Sequence, residues 1–194
     1  EQPVVDGDIH FTPNYDFSGG VKLGDNDGNK HPAWTLDYTS NWLDMGGSAE
    51  IISKVSRTER GYSVRLANAV NSGLSRIHVD MMDKYALDPG DYTLYAWAKL
   101  VDVQKAKPAA QDQGLRLGVA QWKAEGNIDW ANTEKYSTGA VGTSDWKLLS
   151  FNFTVKEGMG PIRLLLRFND ASGYLYVTDV TVQPKGTAYI DPKA

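Results

Sequence analysis

Apolar and polar residues alternate with a period of two along most of this chain, and segments with the helical period are almost absent. Eight alternating segments are separated by turns rich in Gly, Pro, Asn or Asp. This pattern predicts an all-β fold, a β-sandwich of two antiparallel sheets. The segments are residues 48–55, 62–67, 75–81, 92–100, 114–122, 147–155, 161–168 and 173–182.

Length and composition favour a single folded domain. The chain has 194 residues, of which 41% are hydrophobic and 23% are charged, as in an ordinary globular protein. A domain of this size buries a core without covalent cross-links, and the absence of cysteine excludes disulfides and thiol chemistry. We expect the domain to cover residues 1–183, and the polar, proline-containing segment 184–194 to be a linker or tail.

Charge and hydropathy argue against two classes of partner. The net charge of −4 disfavours nucleic acid, because nucleic-acid-binding domains are usually basic. No apolar run approaches the ~18 residues of a membrane-spanning helix, so no membrane partner is expected. The first residues, EQPVVDGDIH, lack the regions of a signal peptide, so an exported protein would already have lost its signal.

Three segments match a known group of proteins in order and spacing. They are LDPGDYTLYAWAKL (87–100), TSDWKLLSFNFTV (143–155) and GYLYVTDVTVQP (173–184), and NYDFSGG (14–20) is a weaker match. The combination resembles jelly-roll carbohydrate-binding modules, the broad group of families four, nine, sixteen and twenty-two. The resemblance implies a jelly roll without catalytic activity that targets an attached enzyme to its polysaccharide. It also implies a secreted or cell-surface bacterial protein with a catalytic domain in the same precursor.

Modules of this group commonly carry a structural calcium ion near the chain ends, held by oxygen ligands. Asp179 matches the closing aspartate of the group, and Asp16 lies in the N-terminal match, so the resemblance implies that both bind calcium. Ser18 replaces the usual glutamate and Thr178 the usual first aspartate. The alternative is that the two aspartates cap turns.

Strand alternation predicts which side chains face away from the core. In the usual jelly-roll order, the segments 62–67, 92–100, 114–122 and 161–168 share one sheet. Their apolar residues face inward, so the intervening residues face outward, and a tryptophan of a long loop lies beside them. The candidate ligand-binding residues are Arg65, Tyr95, Trp97, Lys99, Arg116, Trp122, Trp130, Arg163 and Arg167.

These side chains favour an acidic polysaccharide as ligand. Sugar rings pack on indole faces, and a guanidinium binds carboxylate or sulfate through two parallel hydrogen bonds. Gly118 and Ala120 would leave a trough for the ligand. We expect a uronate-containing or sulfated chain such as alginate or an algal galactan, with neutral β-glucan, xylan or mannan as the alternative. Outward cations are also ordinary solvated residues, and Trp97 and Trp130 would then pack against the sandwich itself.

A jelly-roll polysaccharide lyase or glycoside hydrolase is the rival interpretation. SRIHVD (75–80) resembles the histidine strand of some alginate lyases. The strand order above assigns His78 to the sheet opposite the arginines, and the chain has no E-x-D-x-x-E strand with paired carboxylates for hydrolysis. We therefore expect a non-catalytic module. An adhesive or interaction domain without any attached enzyme is a third possibility, which the sequence leaves open.

Overall fold

The computed structural model describes residues 5–6, 8–24, 28–39 and 47–193. These residues form one short helix, α1 (Trp130–Thr133), one 3-10 turn (Asp83–Tyr85) and thirteen strands. In this part of the chain, no helix has the length and hydrophobicity to cross a membrane. In chain order the strands are β1 (Val5–Asp6), β2 (Ile9–Phe11), β3 (Lys22–Leu23), β4 (Thr35–Thr39), β5 (Gly47–Ser53), β6 (Ser63–Asn68), β7 (Leu74–Met81), β8 (Gly90–Lys105), β9 (Gly114–Gln121), β10 (Lys135–Tyr136), β11 (Gly142–Val155), β12 (Ile162–Asn169) and β13 (Ala171–Pro184).

Two sheets pack face to face. The front sheet has the strand order β10-β9-β12-β7-β4-β3. The back sheet is built around β13, which pairs along one edge with β8, and β8 pairs with β11. The other edge of β13 pairs with β6, followed by β5, near its start, and with β2, followed by β1, near its end. The described pairings are antiparallel apart from that of β3 with β4, so the predicted jelly-roll sandwich is confirmed.

The core lies between the two sheets and follows the predicted alternation. Trp34 is 1% exposed, and its ring centroid lies 5.3 Å from that of Phe17. Leu94 and Leu100 of β8 contribute fully buried side chains from the back sheet. On the front sheet, all the apolar residues predicted to point inward from β9 and β12 are buried: Leu115, Leu117, Val119, Ile162, Leu164, Leu166 and Phe168.

The predicted sharing of one sheet by four strands is wrong. Strands β6 and β8 belong to the back sheet, whereas β9 and β12 belong to the front sheet with β7. The connection at residues 106–113 passes from the back sheet to the front sheet, and residues 35–39, expected in a loop, form β4 of the front sheet. Alternation is the same in either sheet, so it gives no signal for such a crossing. The candidate residues displaced to the back sheet are Arg65, Tyr95, Trp97 and Lys99.

The outer surface of the front sheet, here called the front face, carries a second, smaller core. Leu165 and Ala120 point outward from β12 and β9, yet both are fully buried. Residues 122–136 fold over this surface instead of leaving it open to solvent. The side chains that pack there, the front cluster, are Ala120, Trp122, Ile128, Leu165, Trp130 and Tyr136.

The segment that follows β13 packs against the back sheet. Gln183 donates from Nε2 to the carbonyl of Ala188 at 2.7 Å and accepts from the backbone N–H of Ile190 at 2.8 Å. The ring of Tyr189 lies 4.6 Å from that of Tyr95, and its hydroxyl accepts a 2.8 Å hydrogen bond from Trp97 Nε1. Residues 185–193 therefore cover part of the outer surface of the back sheet.

Because of the second core, alanine substitution should lower the free energy of unfolding by the same amount at two neighbouring leucines that point to opposite sides of the sheet. Leu164→Ala, in the main core, and Leu165→Ala, in the front cluster, should each lower the free energy of unfolding by about 2–5 kcal/mol. Leu148→Ala on β11, where the side chain is half-buried, should cost about 1 kcal/mol. Urea denaturation measures all three, and a cost for Leu165→Ala as small as that for Leu148→Ala would contradict the second core.

Candidate functional site

Strand pairing arranges the side chains of the front face in three rows. β12 lies between β9 and β7, and residues paired across the three strands point to the same side of the sheet. Successive rows are about 6.6 Å apart, because every second residue of a strand shares a face. The rows are Arg116–Arg167–Arg76, Gly118–Leu165–His78 and Ala120–Arg163–Asp80.

Asp80 is the centre of a buried hydrogen-bond network at one end of the front face. Arg163 donates from Nε to Oδ1 at 2.9 Å and from Nη2 to Oδ2 at 2.8 Å. Trp122 Nε1 donates to Oδ1 at 2.8 Å, and the backbone N–H of His31 donates to Oδ2 at 2.6 Å. These bonds satisfy the buried carboxylate, and the carboxylate neutralises Arg163. Two cations also contact the ring of Trp122, since Arg163 Cζ and Lys30 Nζ are 5.3 and 4.7 Å from its centroid.

Asp37 is a second buried carboxylate, shared by His78 and Arg76. His78 Nδ1 lies 2.7 Å from Asp37 Oδ2, the geometry of an N–H donating to a carboxylate, and Arg76 Nε donates to Oδ1 at 3.0 Å. Burial raises the pKa of Asp37, but the hydrogen bonds and charges of His78 and Arg76 outweigh it, and the pKa is lowered overall. Burial lowers the pKa of His78, Arg163 acts in the same direction, and Asp37 and Asp80 oppose them. His78 is therefore neutral near pH 7.

The expectation that His78 lies on the sheet opposite the arginines is wrong, because β7 pairs with β12 in the front sheet. His78 stands between the rows of Arg76 and Asp80, yet it is only 1% exposed. A general base must come within hydrogen-bond reach of the proton that it removes. The ring of His78 is covered by protein atoms, so its position does not supply the accessible base of a lyase.

The small residues of β9 accommodate side chains of this chain itself. Tyr136 on β10 pairs with Gly118, and a Cβ on Gly118 would overlap the tyrosine ring. Ala120 packs in the front cluster. The trough predicted for a ligand at these two positions is thus filled by residues 122–136, of which all but Trp122 were expected to form a loop.

Arg116 and Arg167 form a guanidinium pair at the other end of the front face. Their Cζ atoms lie 4.6 and 5.6 Å from the ring of Tyr136. Burial, followed by the hydrogen bond and charge of Glu134, raises the pKa of Tyr136 to about 12. Arg116 Nε donates to the carbonyl of Ser137 at 3.0 Å.

Carboxylates act on this pair only from beyond ion-pair distance, among them those of Asp112 and Glu134. Among the described residues, neither Arg116 nor Arg167 has a carboxylate within 4.0 Å, in contrast to Arg76 and Arg163. Burial and the charge of Arg167 lower the pKa of Arg116, Asp112, Tyr136 and Glu134 oppose them, and an arginine stays protonated at neutral pH. The pair therefore offers two half-buried cations to an anion.

A cavity of about 510 Å³ opens at the Asp80 end of the front face. Trp130 is half-buried and exposes part of its indole, whereas Trp122 is 2% exposed and forms a wall. Indole surface beside hydrogen-bonding groups suits a sugar, whose ring presents both C–H groups and hydroxyls. The lining residues are Gly28, Trp122, Lys123, Asn127, Ile128, Trp130 and Arg163.

The structure divides the predicted ligand-binding residues between two surfaces. Arg116, Trp122, Trp130, Arg163 and Arg167 share the front face. The other four lie on the outer surface of the back sheet, where Tyr95 and Trp97 are covered by residues 185–193 as described above. Of the remaining two, Arg65 stacks on a tyrosine of β13 at 4.7 Å, and Lys99 lies 3.9 Å from a carboxylate of β11.

Several residues of the front face were not among the candidates. Arg76, His78 and Asp80 alternate along 75–81, so the correct sheet for this strand would have added them. Asp37 and Tyr136 lie in segments that were expected to be loops. The contacts made by these residues hold the arginines and Trp122 in place.

Among the described residues, no three His, Asp or Glu side chains gather as metal ligands do. The candidate calcium ligands, Asp16 and Asp179, line one small depression near the chain ends. Each contacts a cation of the protein, Lys193 and Arg57 respectively.

Known structures share this fold at low sequence identity. A proposed sugar-binding protein from Bacteroides thetaiotaomicron has a TM-score of 0.60 and 11% identity over 90% of this chain and 99% of its own. A CBM22 xylan-binding domain from Paenibacillus barcinonensis has a TM-score of 0.51 and 13% identity, over 90% and 94%. A tailspike protein of bacteriophage CBA120 has a TM-score of 0.56 and 12% identity over 77% of this chain, which spans only 19% of the tailspike chain.

No protein-family model and no curated protein sequence matches the chain. Further modules of CBM families 4 and 22 match in structure. At such low identity the likeness shows the fold. The resemblance to jelly-roll carbohydrate-binding modules, first drawn from three sequence segments, is confirmed at that level.

Because Tyr136 packs on Gly118, substitutions at these two positions should have coupled effects on the free energy of unfolding. Gly118→Ala should destabilise the protein by about 1–3 kcal/mol, because the added methyl overlaps the tyrosine ring. In a Tyr136→Ala background the same change should cost less, since the ring is gone. Equal costs in the two backgrounds, measured by urea denaturation, would show that the ring does not occupy this position.

The lowered pKa of His78 predicts how stability depends on pH. Below the ordinary histidine value of 6.5 the unfolded chain binds a proton that the folded chain resists, so stability is lost as the pH falls through this window. The pKa of His10 is also lowered, chiefly by burial, so it contributes with the same sign. His78→Asn keeps an N–H donor for Asp37 and should flatten the pH dependence of unfolding between about pH 7 and 5.

The matched control is His10→Asn, which should remove only the contribution of His10. The free energy of unfolding is measured in urea across this pH range for all three proteins. If His78→Asn retained the full wild-type slope, the buried neutral histidine would be ruled out.

Proposed function

We propose that this chain is a non-catalytic module that binds a polysaccharide on the front face. The ligand would occupy the cavity beside Trp130 and extend along the sheet toward Arg116 and Arg167. The observation that carries the proposal is the combination, on one face, of a partly exposed indole in a cavity and a guanidinium pair without an ion-pair partner among the described residues. The fold supports it, because the structural neighbours include carbohydrate-binding modules.

The front face supplies the two interactions that a sugar chain needs. Trp130 offers apolar ring surface for the C–H face of a sugar. Lys123 and Asn127 are exposed at the rim and suit hydroxyl groups. Below them, the Asp80 network fixes Trp122 and Arg163, so little side-chain entropy would be lost there on binding.

We further propose that the ligand is acidic, such as a uronate-containing or sulfated polysaccharide. Arg116 and Arg167 repel each other; Asp112 and Glu134 oppose this effect on Arg116 from a distance, but among the described residues neither arginine has a carboxylate within 4.0 Å. A carboxylate or sulfate group would relieve this repulsion and would accept charge-assisted hydrogen bonds. The distance between the Arg163 and Arg167 positions along β12 is about 13 Å, so a ligand would have to be an oligomer to reach both ends.

A neutral chain such as xylan is the second candidate, and one observation favours it. Arg163, the arginine that lines the Trp130 cavity, is paired with Asp80, so its charge is already neutralised by the protein. A xylan-binding domain is also among the structural neighbours. Such a ligand would use the cavity without the guanidinium pair.

Affinity electrophoresis and calorimetry with alginate, sulfated galactan, xylan, β-glucan and mannan test the proposal. Kd values between micromolar and millimolar are expected, because stacking and exposed charge contacts are individually weak. Trp130→Ala should raise Kd about 2- to 13-fold for every ligand that binds. Arg167→Gln should weaken acidic ligands about tenfold and leave neutral ligands unchanged, and added salt should act in the same way.

Two variants serve as matched controls. Trp146→Ala removes a half-buried tryptophan of β11, and Lys99→Gln removes a cation of the back sheet, so neither should change Kd. A preference for neutral chains would reject the acidic ligand, and insensitivity to Trp130→Ala would reject the front face. Release of reducing or unsaturated ends by the pure protein would reject the non-catalytic assignment.

The proposal includes a biological setting. We propose that the module is secreted or displayed at a cell surface and that it belongs to a precursor with a catalytic domain for the same polysaccharide. Sequencing of the complete gene tests both, through an export signal and a second domain. An adhesive protein would have the export signal without a catalytic domain.

A further inference from the structure

Three carboxylates and two cations gather beside the back sheet, where the turn at residues 14–20 meets the segment that follows β13. The carboxylates are those of Asp16, Asp179 and Asp191, and the cations are Arg57 and Lys193. The resemblance to carbohydrate-binding modules implies a structural calcium ion held by Asp16 and Asp179. The contacts of these residues show whether the cluster fits such an ion.

Arg57 bridges two of the carboxylates. It donates to Asp179 Oδ2 from Nη2 at 2.6 Å and from Nε at 3.0 Å. It also donates to Asp191, from Nη2 to Oδ1 at 2.7 Å and from Nη1 to Oδ2 at 2.9 Å. A planar guanidinium makes this double contact with fixed geometry, which a lysine cannot reproduce. The charge of Arg57 is thus placed between an aspartate of β13 and one of the C-terminal segment.

Lys193 plays a similar part for Asp16. Its Nζ lies 3.3 Å from Asp16 Oδ2, while the backbone N–H of Ser18 donates to Asp16 Oδ1 at 3.1 Å. Lys193 Nζ also lies 5.3 Å from the ring of Tyr15. The N-terminal and C-terminal segments are therefore joined by a protein cation.

The cluster does not fit calcium. Calcium takes six to eight oxygen ligands, and five of the six carboxylate oxygens here already accept hydrogen bonds from the protein. The sixth, Asp179 Oδ1, is buried without a hydrogen-bond partner among the described residues. A divalent cation at this place would also meet the positive charges of Arg57 and Lys193 at short range.

We propose that Arg57, assisted by Lys193, supplies the positive charge that a calcium ion would otherwise supply to Asp16, Asp179 and Asp191. The two side chains join these segments without a metal. Asp16 and Asp179 are then partners of protein cations and not calcium ligands. Arg57 also stabilises the tail through a ring contact, because its Cζ lies 4.3 Å from the ring of Trp97, which is hydrogen-bonded to Tyr189. The inference is independent of the ligand proposed for the front face.

Thermal unfolding with and without calcium tests the proposal. The melting temperature of the wild-type chain should be the same in millimolar CaCl₂ as in excess EDTA. Arg57→Met keeps the length of the side chain but removes its charge, and it should lower Tm by about 5–15 °C, because it leaves two carboxylates unpaired. The Tm of Arg57→Lys should lie between those of the wild type and of Arg57→Met, because lysine keeps the positive charge but cannot make the double contact.

Lys193→Met is the milder variant if Arg57→Met fails to fold, and it should lower Tm by a few degrees. Arg60→Met, at an exposed position in the same segment, is the control and should leave Tm unchanged. A rise of Tm with calcium, reversed by EDTA, would overturn the proposal. So would wild-type stability in both Arg57→Met and Lys193→Met.

Discussion

The buried carboxylate of Asp80 is the interaction on which the front face depends. Its two oxygens bind Arg163 of β12, the indole N–H of Trp122 and the backbone of His31, so one residue of β7 joins three separate parts of the chain. A carboxylate in this position without its partners would be strongly destabilising, because the desolvation of an unpaired charge costs several kcal/mol. The sheet therefore depends on residues 28–34 and 122–136 folding over it. That covering gives the front face its cavity, and of the two described tryptophans that line the cavity it buries Trp122 and leaves Trp130 partly exposed.

The two surfaces of the sandwich differ in how their aromatic residues are used. On the back sheet, Trp97 and Tyr95 are engaged by Tyr189 of the tail. On the front face, Trp122 and Trp130 line a cavity; Arg163 is neutralised by Asp80, whereas Arg116 and Arg167 have no ion-pair partner among the described residues. The tryptophans that stack on arginines are structural on both sides, Trp97 with Arg57 and the buried Trp122 with Arg163, whereas Trp130 is half-buried in the lining of the cavity.

The sequence predicts the strands and their inward faces well, because a period of two is a local property that packing reinforces. Leu117, Leu164 and Leu166 are buried as the pattern indicates. The pattern does not determine which sheet a strand joins, since β8 and β9 alternate alike and yet lie in opposite sheets. For that reason the predicted binding face combined residues that lie on two separate surfaces of the sandwich. The partners of the predicted arginines were also missed, because Asp80, His78 and Tyr136 reach them only through strand pairing and a fold-back of the chain.

The central claim is that the front face, and not the back sheet, contacts a polysaccharide. Titration of ¹⁵N-labelled protein with an alginate or xylan oligosaccharide, followed through assigned tryptophan indole and arginine Nε resonances, tests it most directly. The account predicts saturable shifts of Trp130, with Arg116 and Arg167 shifting as well for an acidic chain, while Trp97 and Trp34 stay unchanged. Shifts confined to Trp97 and the residues around Tyr189 would contradict it.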